Sequence, residues 1–315
     1  MMLERVCVAI PTYRRGDMLE QLLEGIASQR LSKGDAAVDV VVLDNDPLAS
    51  AAPIVALRRQ AFPFALQYRA VAQRGLAVVR NEALRFASGY TYVAMIDDDE
   101  VPEPQWLGEL LRVARATSAD AVIGPVPPLL PSDAPRWLSL AHTAEYPGRA
   151  DGDLLDEGWS GNCLLRCEGI ARLGLSFDPE FNFSGGEDQL FFRQLRLRGG
   201  SIAYAPAARA WEFTPPARRS FRFVLQRSFR RGNSLSKCDR RMYGTARQTA
   251  LRAFKGAAFT ARGMAVLAPA TFFRGASGFV GACCEVASGL GMLAGLFGVT
   301  YQPYGRVALE AVRDV

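Results

Sequence analysis

Residues 92–100 read Tyr-Val-Ala-Met-Ile-Asp-Asp-Asp-Glu, so an apolar stretch ends abruptly in Asp97, Asp98, Asp99 and Glu100. Adjacent carboxylates repel one another, and where a buried strand ends something positive must offset that repulsion. One candidate is a hard divalent cation, Mg²⁺ or Mn²⁺, held by one or two carboxylates and the oxygens of a substrate phosphate. The other is an acidic turn that closes the strand and caps the next helix. Asp44 is similarly placed, since Asp44, Asn45, Asp46 and Pro47 are turn formers that leave a carboxylate at a strand's carboxyl end. Ligands collect at such ends in open α/β sheets. A further acidic pair, Glu187 and Asp188, follows Phe183-Ser184-Gly185-Gly186. Ser184 or a glycine can cap a helix there, which puts both acids in its first turn near the positive dipole end.

The elements that must position these residues follow from periodicity. Residues 6–10, 38–43, 64–69 and 92–96 read as strands, and Leu19, Leu22, Leu23 and Ile26 form one apolar helical stripe between the first two. Helical patterns at 54–62 and 76–87 fill the other gaps, so a parallel sheet with helical crossovers is the economical arrangement. Beyond it come a helix at 104–116, strands at 121–124, 161–166 and 201–205, and a helix through Leu190, Phe191, Leu195 and Leu197. The Pro-rich piece 125–135 reads as a surface loop or lid.

With 315 residues, 49% of them apolar and 22% charged, the chain buries a core. Net charge is only +5, yet residues 193–262 hold 17 Lys and Arg against Glu212 and Asp239, which makes that window +15 and leaves −10 elsewhere. Such asymmetry points to an anionic partner: phosphates, nucleic acid or a lipid surface. Nucleic acid is excluded as the expected partner, because neither zinc-finger spacing nor a helix-turn-helix cue nor an aromatic RNA-binding signature accompanies the arginines. Six cysteines include no CxxC pair and read as reduced packing residues, and the single histidine, His142, reads as structural. Residues 218–231 form a basic amphipathic helical pattern, followed by apolar runs at 263–273 and 275–298. The second run is long enough to span a bilayer, but Glu285 and its many glycines leave three readings open: spanning, lying on or re-entering the membrane, or a hairpin packed on the rest of the protein. We expect catalytic residues in 1–216 and a basic, apolar helical region in 217–315. No apolar signal segment precedes the first strand, so a cytoplasmic start is expected.

Taken together, Val6-Cys-Val-Ala-Ile-Pro11-Thr12-Tyr13-Arg14-Arg15, Leu43-Asp44-Asn45, Gly75-Leu-Ala-Val-Val-Arg80-Asn81, Ile96-Asp97-Asp98-Asp99 and Gly185-Gly186-Glu187-Asp188 resemble family 2 glycosyltransferases of the GT-A fold, in order and spacing. The match covers roughly residues 5–232. Within that family the chain resembles bacterial polysaccharide-assembly enzymes of the succinoglycan glucosyltransferase type, whose Arg-rich helix is similar to Arg227-Ser-Phe-Arg230-Arg231-Gly232-Asn233.

The resemblance implies a Rossmann-like, mostly parallel sheet flanked by helices, with a C-terminal membrane-associating segment. It implies that Pro11, Thr12, Tyr13, Arg14 and Asp44 cradle base and ribose, and that Arg80 approaches base or diphosphate. By the same carry-over Asp97 meets ribose or water, Asp98 supports it, and Asp99 ligates Mg²⁺ or Mn²⁺. Asp188 then acts as general base, with Glu187 positioning acceptor or base, in an inverting transfer. Many relatives place a metal-binding histidine where this chain reads Ala210-Trp211-Glu212-Phe213, so either Glu212 coordinates the metal in its place or the metal relies on Asp99, diphosphate and waters. Trp159, Gly161 and Asn162 fall where acceptor contacts are expected. The implied reaction moves a hexose, UDP-glucose being the expected donor, to a polyprenyl-diphosphate-linked glycan at the cytoplasmic face of the inner membrane, with the protein peripheral or re-entrant. The rival readings are a catalytically idle scaffold of the same fold and a sugar nucleotidyltransferase, although 11–16 is not a Gly-rich phosphate loop.

Overall fold

The computed structural model describes residues 3–31, 34, 36–142 (backbone alone at 140–142) and 146–301. The His142 side chain therefore lies outside the described residues. The elements in chain order are β1 (Arg5–Thr12), α1 (Gly16–Ala27), β2 (Ala37–Asp44), α2 (Ala52–Arg58), β3 (Ala65–Ala70), α3 (Leu76–Phe86), β4 (Tyr92–Ile96), β5 (Glu100–Pro102), α4 (Trp106–Thr117), β6 (Ala121–Ile123) and β7 (Pro128–Leu129). There follow α5 (Arg136–His142), β8 (Asn162–Arg166), α6 (Cys167–Arg172), α7 (Glu187–Leu197), β9 (Ile202–Tyr204), β10 (Ala210–Phe213), α8 (Phe221–Met242) and α9 (Ala246–Leu296).

Two compact units divide the chain. The first comprises Met1–Leu129, Ala144–Asn182 and Phe191–Phe213, within the described residues. Its central sheet has the order β3-β2-β1-β4-β8-β6-β9. All pairings are parallel except those of β8, which runs antiparallel to both β4 and β6. Both faces are covered, as near-continuous apolar strands require. Val6, Val8 and Ile10 point into one core with the α1 stripe, while Cys7 and Ala9 point into the other with Ala77, Val79 and Phe191. The β1–β2 register sets Thr12 opposite Asp44, so the two chain segments expected to meet a nucleotide leave the sheet at the same edge.

A smaller sheet in this unit, order β5-β10-β7, lies outside the sequence reading. Its strands are two to four residues long and broken by prolines, too short for a period to register. It corrects the expected loop at 125–135: Pro128 and Leu129 pair with Glu212 and Phe213, and residues 125–127 are buried. Proline is tolerated there because β7 is an edge strand. Helix α2 also starts earlier than its period suggests, with Pro53 in its first turn, and it stops ahead of Phe62-Pro63, where the residue before proline is driven out of helical geometry.

The second unit comprises Leu130–Thr143, Phe183–Leu190 and Thr214–Val315, again within the described residues. Ser220 caps α8, accepting from the Phe223 amide, and the helix runs on past 231 through Gly232, which packs against Ser288, with no proline to stop it before Met242. Helix α9 is not continuous. Gly275, at φ 55° and ψ −140°, breaks it into arms 246–274 and 276–296. The arms fold back on one another: Gly256 faces Gly289, Gly263 faces Ala282 and Val286, and Gly278 faces Ala270, each so closely that a Cβ would clash. The backbone of this region is thus a helical hairpin. Helix α9 is also long and apolar enough to cross a membrane.

Candidate active site

The turn after β1 and the acidic run after β4 are locked together by Asp98. Its Oδ2 accepts from the Thr12 hydroxyl at 2.9 Å and the Tyr13 amide at 3.4 Å, and its Oδ1 accepts from Arg15 at 2.7 Å. The same guanidinium reaches Asp99 Oδ2 at 3.0 Å. Arg14 turns the loop at φ 52°, in the left-handed region, and donates to Asp46 at 3.0 Å. Between Arg14 and Arg74 lies the Tyr13 ring, with the guanidinium carbons 5.3 and 4.5 Å from its centroid. Pro11 fits within β1 because pairing with β4 ends at Ala9, so its missing N–H is not needed on that side.

Burial pushes the Asp98 carboxyl up to about 6, and the Asp99 charge adds to this against the pull of Arg15 and Thr12. Arg15 is held more firmly in its charged form, as Asp98 and Asp99 outweigh its own desolvation. Arg80 is 5% exposed, which excludes an exposed helix face, and its Nη2 donates to the Asp97 oxygens at 3.0 and 3.4 Å.

Asp44 is fully buried. Its Oδ1 accepts from the Asp46 amide at 2.9 Å, and its Oδ2 from the Ala51 amide at 2.9 Å and the Tyr68 hydroxyl at 3.2 Å. These contacts shape the turn after β2. Asn45 extends that order by donating to the Val71 and Gln73 carbonyls and accepting from the Gly75 amide. Gly75 has φ 138°, and a Cβ there would sit 2.2 Å from Asn182, whose Oδ1 accepts from Val78 in the first turn of α3. Thus Arg80 is aimed by a loop that only glycine can form.

Glu100, the last of the four acids, opens β5 opposite Glu212 of β10. It is 4% exposed, its Oε2 has no hydrogen-bond partner among the described residues, and Gly161 makes room for its Oε1 and for Asp97 Oδ2. Burial first, then the charges of Asp97, Asp99 and Glu212, push this carboxyl well above the usual range. Asn162 is fully buried and braces the scaffold: its Oδ1 accepts from the Trp106 indole N–H at 2.7 Å and its Nδ2 donates to the Pro125 and Ala208 carbonyls. Trp159 stacks on Tyr146 and donates to the Gly124 carbonyl.

In the second unit, Glu187 is buried and Asp188 half-buried at the start of α7. Gly185 and Gly186, both at positive φ, form the turn before them. Helix α8 holds that turn. Lys237 Nζ donates to Ser184 Oγ at 3.1 Å, Ser234 Oγ donates to the Gly185 carbonyl at 3.3 Å, and the Cys238 thiol reaches the Gly186 carbonyl at 3.6 Å.

Residues 7–173 match the model of glycosyl transferase family 2. The succinoglycan biosynthesis protein ExoM of Rhizobium meliloti (strain 1021) is 35% identical over 228 residues, 72% of each chain. The chain belongs to glycosyltransferase family 2. Its fold is GT-A: TarS 1-349 of S. aureus, solved in complex with UDP, matches at TM-score 0.55 with 17% identity, over 95% of this chain and 93% of that one. The mannosyltransferase PcManGT of Pyrobaculum calidifontis, solved with GDP-Man and Mn²⁺, matches at TM-score 0.55 with 18% identity, over 99% of this chain and 81% of that one.

For a glycosyltransferase of this kind the donor atoms fit a hard cation, since Asp97, Asp99, Glu100 and Glu212 present oxygen alone. Among the described residues no three His, Cys, Asp or Glu side chains converge as a metal cage. Mg²⁺ is commonly bound by one or two carboxylates with the remaining positions left to phosphate and water. Sequence reasoning did not name Arg15, Glu100 or Lys237 as site residues. The spacing of Arg15 from the acid run, 83 and 84 residues, leaves no local signal. Glu100 had one, as the fourth acid of the run.

Proposed function

We propose that this family 2 glycosyltransferase transfers a hexose from a nucleotide sugar, UDP-glucose being the expected donor, to a lipid-diphosphate-linked glycan at the cytoplasmic membrane face, with inversion. What carries the reading is the Asp97–Asp99 run held between Arg15 and Arg80 at the carboxyl edge of β1 and β4. Two buried or half-buried arginines beside carboxylates suit a diphosphate bridged to the protein by a divalent cation. The name of the ExoM relative, a succinoglycan biosynthesis protein, supports polysaccharide assembly as the setting.

Tyr13 and the loop of Pro11, Thr12 and Arg14 receive the base and ribose, with Asp44 fixing the turn beside them. Asp99 and Glu212 would hold Mg²⁺ or Mn²⁺, which when bound would offset the charge on the departing nucleoside diphosphate. Asp188 takes the proton of the acceptor hydroxyl. The acceptor oxygen then bonds to C1 as the bond from C1 to the diphosphate oxygen breaks, and the electron pair leaves with the nucleotide. Glu187 orients the acceptor or the base.

Asp188→Asn tests the base. The expected result is a 10²- to 10⁴-fold fall in transfer, roughly the contribution of general base catalysis, with donor affinity retained by calorimetry in Mn²⁺. Undiminished transfer would remove Asp188 from the mechanism. A donor panel run in Mn²⁺ and in EDTA on the same protein decides the nucleotide sugar and the metal requirement together.

A further inference from the structure

The outer arm of the α9 hairpin leaves a long face uncovered. Phe254, Ala258, Ala261, Ala265, Ala268 and Phe272 recur at intervals of three and four, so they line one side of the helix, and all are exposed. Phe254 is 71% exposed, Phe272 83% and Phe273 80%, and the last two rings meet edge to face beside the bend at Gly275. From Gly256 to Phe273 this arm carries a single charge, Arg262, which is matched by two 2.8 Å hydrogen bonds to Glu285 on the returning arm. This tract, with its one matched charge, is about 27 Å long at 1.5 Å per residue. Cations stand at its two ends, Lys255 and Arg274. An exposed apolar face of this extent marks a protein or membrane contact.

Which occupant it takes follows from its surroundings in the same unit. The arms approach through glycines rather than through interlocking side chains, the manner of helices that pack in lipid. The returning arm runs beside α8 in constant register, with Phe221 on Phe279, Val224 beside Val280, Gly232 against Ser288 and Ser236 bonded to Met292. Helix α8 carries Arg222, Arg227, Arg230 and Arg231 along that stretch. An arginine in the middle of a membrane-spanning helix is costly to insert, and α8 carries four, so a hairpin bound to α8 is held back from crossing the bilayer. Its outer face and tip are left to meet the bilayer from one side.

We propose that the α9 hairpin lies in the surface of an anionic phospholipid bilayer, with the Phe254–Phe272 face and the Phe272-Phe273 tip in the acyl boundary and the cations of α8 and α9 among the headgroups. Apolar face, basic flank and matched internal charge are together what an interfacial helix requires. The inference deepens the membrane part of the proposed function and rests on it.

Co-sedimentation of the full chain with phosphatidylcholine–phosphatidylglycerol vesicles tests it, using the wild type, Phe272→Ser/Phe273→Ser and Ala261→Glu/Ala265→Glu. Thermal unfolding by circular dichroism checks that each is folded, and Phe272→Ser alone serves as the mildest substitution. Wild-type binding that weakens at least about tenfold in each folded variant supports the proposal. It is overturned by a wild type that stays in the supernatant, by variants that bind equally well, or by a lipid-free dimer that the variants dissolve, since a second copy would then cover the face. Donor hydrolysis without acceptor, measured on the same samples, is expected to be unchanged. Its loss in the wild type would instead count against the catalytic reading.

Discussion

Asp98 shows how one residue can be prominent in sequence and still have a role that sequence leaves hidden. The run Asp97–Asp99 is legible as three carboxylates at a strand end. Which of them turns inward depends on Thr12, Tyr13 and Arg15, more than 80 residues earlier. Because burial raises Asp98 to about 6 from an ordinary value near 3.8, the folded state holds a proton that the unfolded state has released between those values. Stability must therefore fall as pH rises from about 4 to about 6 and level off above, by up to about 3 kcal/mol for a two-unit shift. Urea unfolding in EDTA across that range measures it, and Asp98→Asn is expected to flatten the slope. A wild-type slope equal to that of the variant would show that Asp98 is ionised in the folded protein throughout. Arg15→Ala should carry the raised value higher still, since the nearest opposing charge goes with it.

Most strands and helices that pack on the central sheet were legible, because apolar periods of two and 3.6 each bury a face against it, whereas α6, only six residues long, shows no such period. In the smaller sheet, whose strands β5, β7 and β10 are two to four residues long and lack an apolar run, nothing in the sequence distinguished ladder from loop. The joining of the Gly185-Gly186 turn to α8 was equally hidden. Lys237 is one cation among many in its window, and only the fold selects it to hold Ser184. We expect Lys237→Met to free the turn that aims Asp188, lowering kcat by about three- to tenfold, the scale of losing a charge-assisted hydrogen bond, while leaving the donor KM unchanged. Lys237→Arg should restore part of the rate. A donor KM that rises with kcat held constant would instead place Lys237 in substrate binding.

At the scale of the whole chain, charge and apolar surface are divided in a way that composition alone foreshadowed. The +15 window of residues 193–262 falls largely on α8 and the outer arm of α9, and the apolar run that follows it forms the returning arm of the hairpin. Two forces of different salt dependence then act on the same vesicle surface. Attraction of exposed arginines such as Arg222, Arg231 and Arg240 to anionic headgroups is screened, as the Debye length shrinks from about 10 Å at 0.1 M to about 3 Å at 1 M salt. Burial of Phe272 and Phe273 is not screened. Raising NaCl from 0.1 to 1 M should therefore remove most vesicle affinity from the wild type yet leave a residue of binding, and Phe272→Ser/Phe273→Ser should abolish that residue while keeping the salt-sensitive part. Complete release of the wild type at 1 M would assign the contact to the arginines alone and leave the exposed aromatic tip without a share in it.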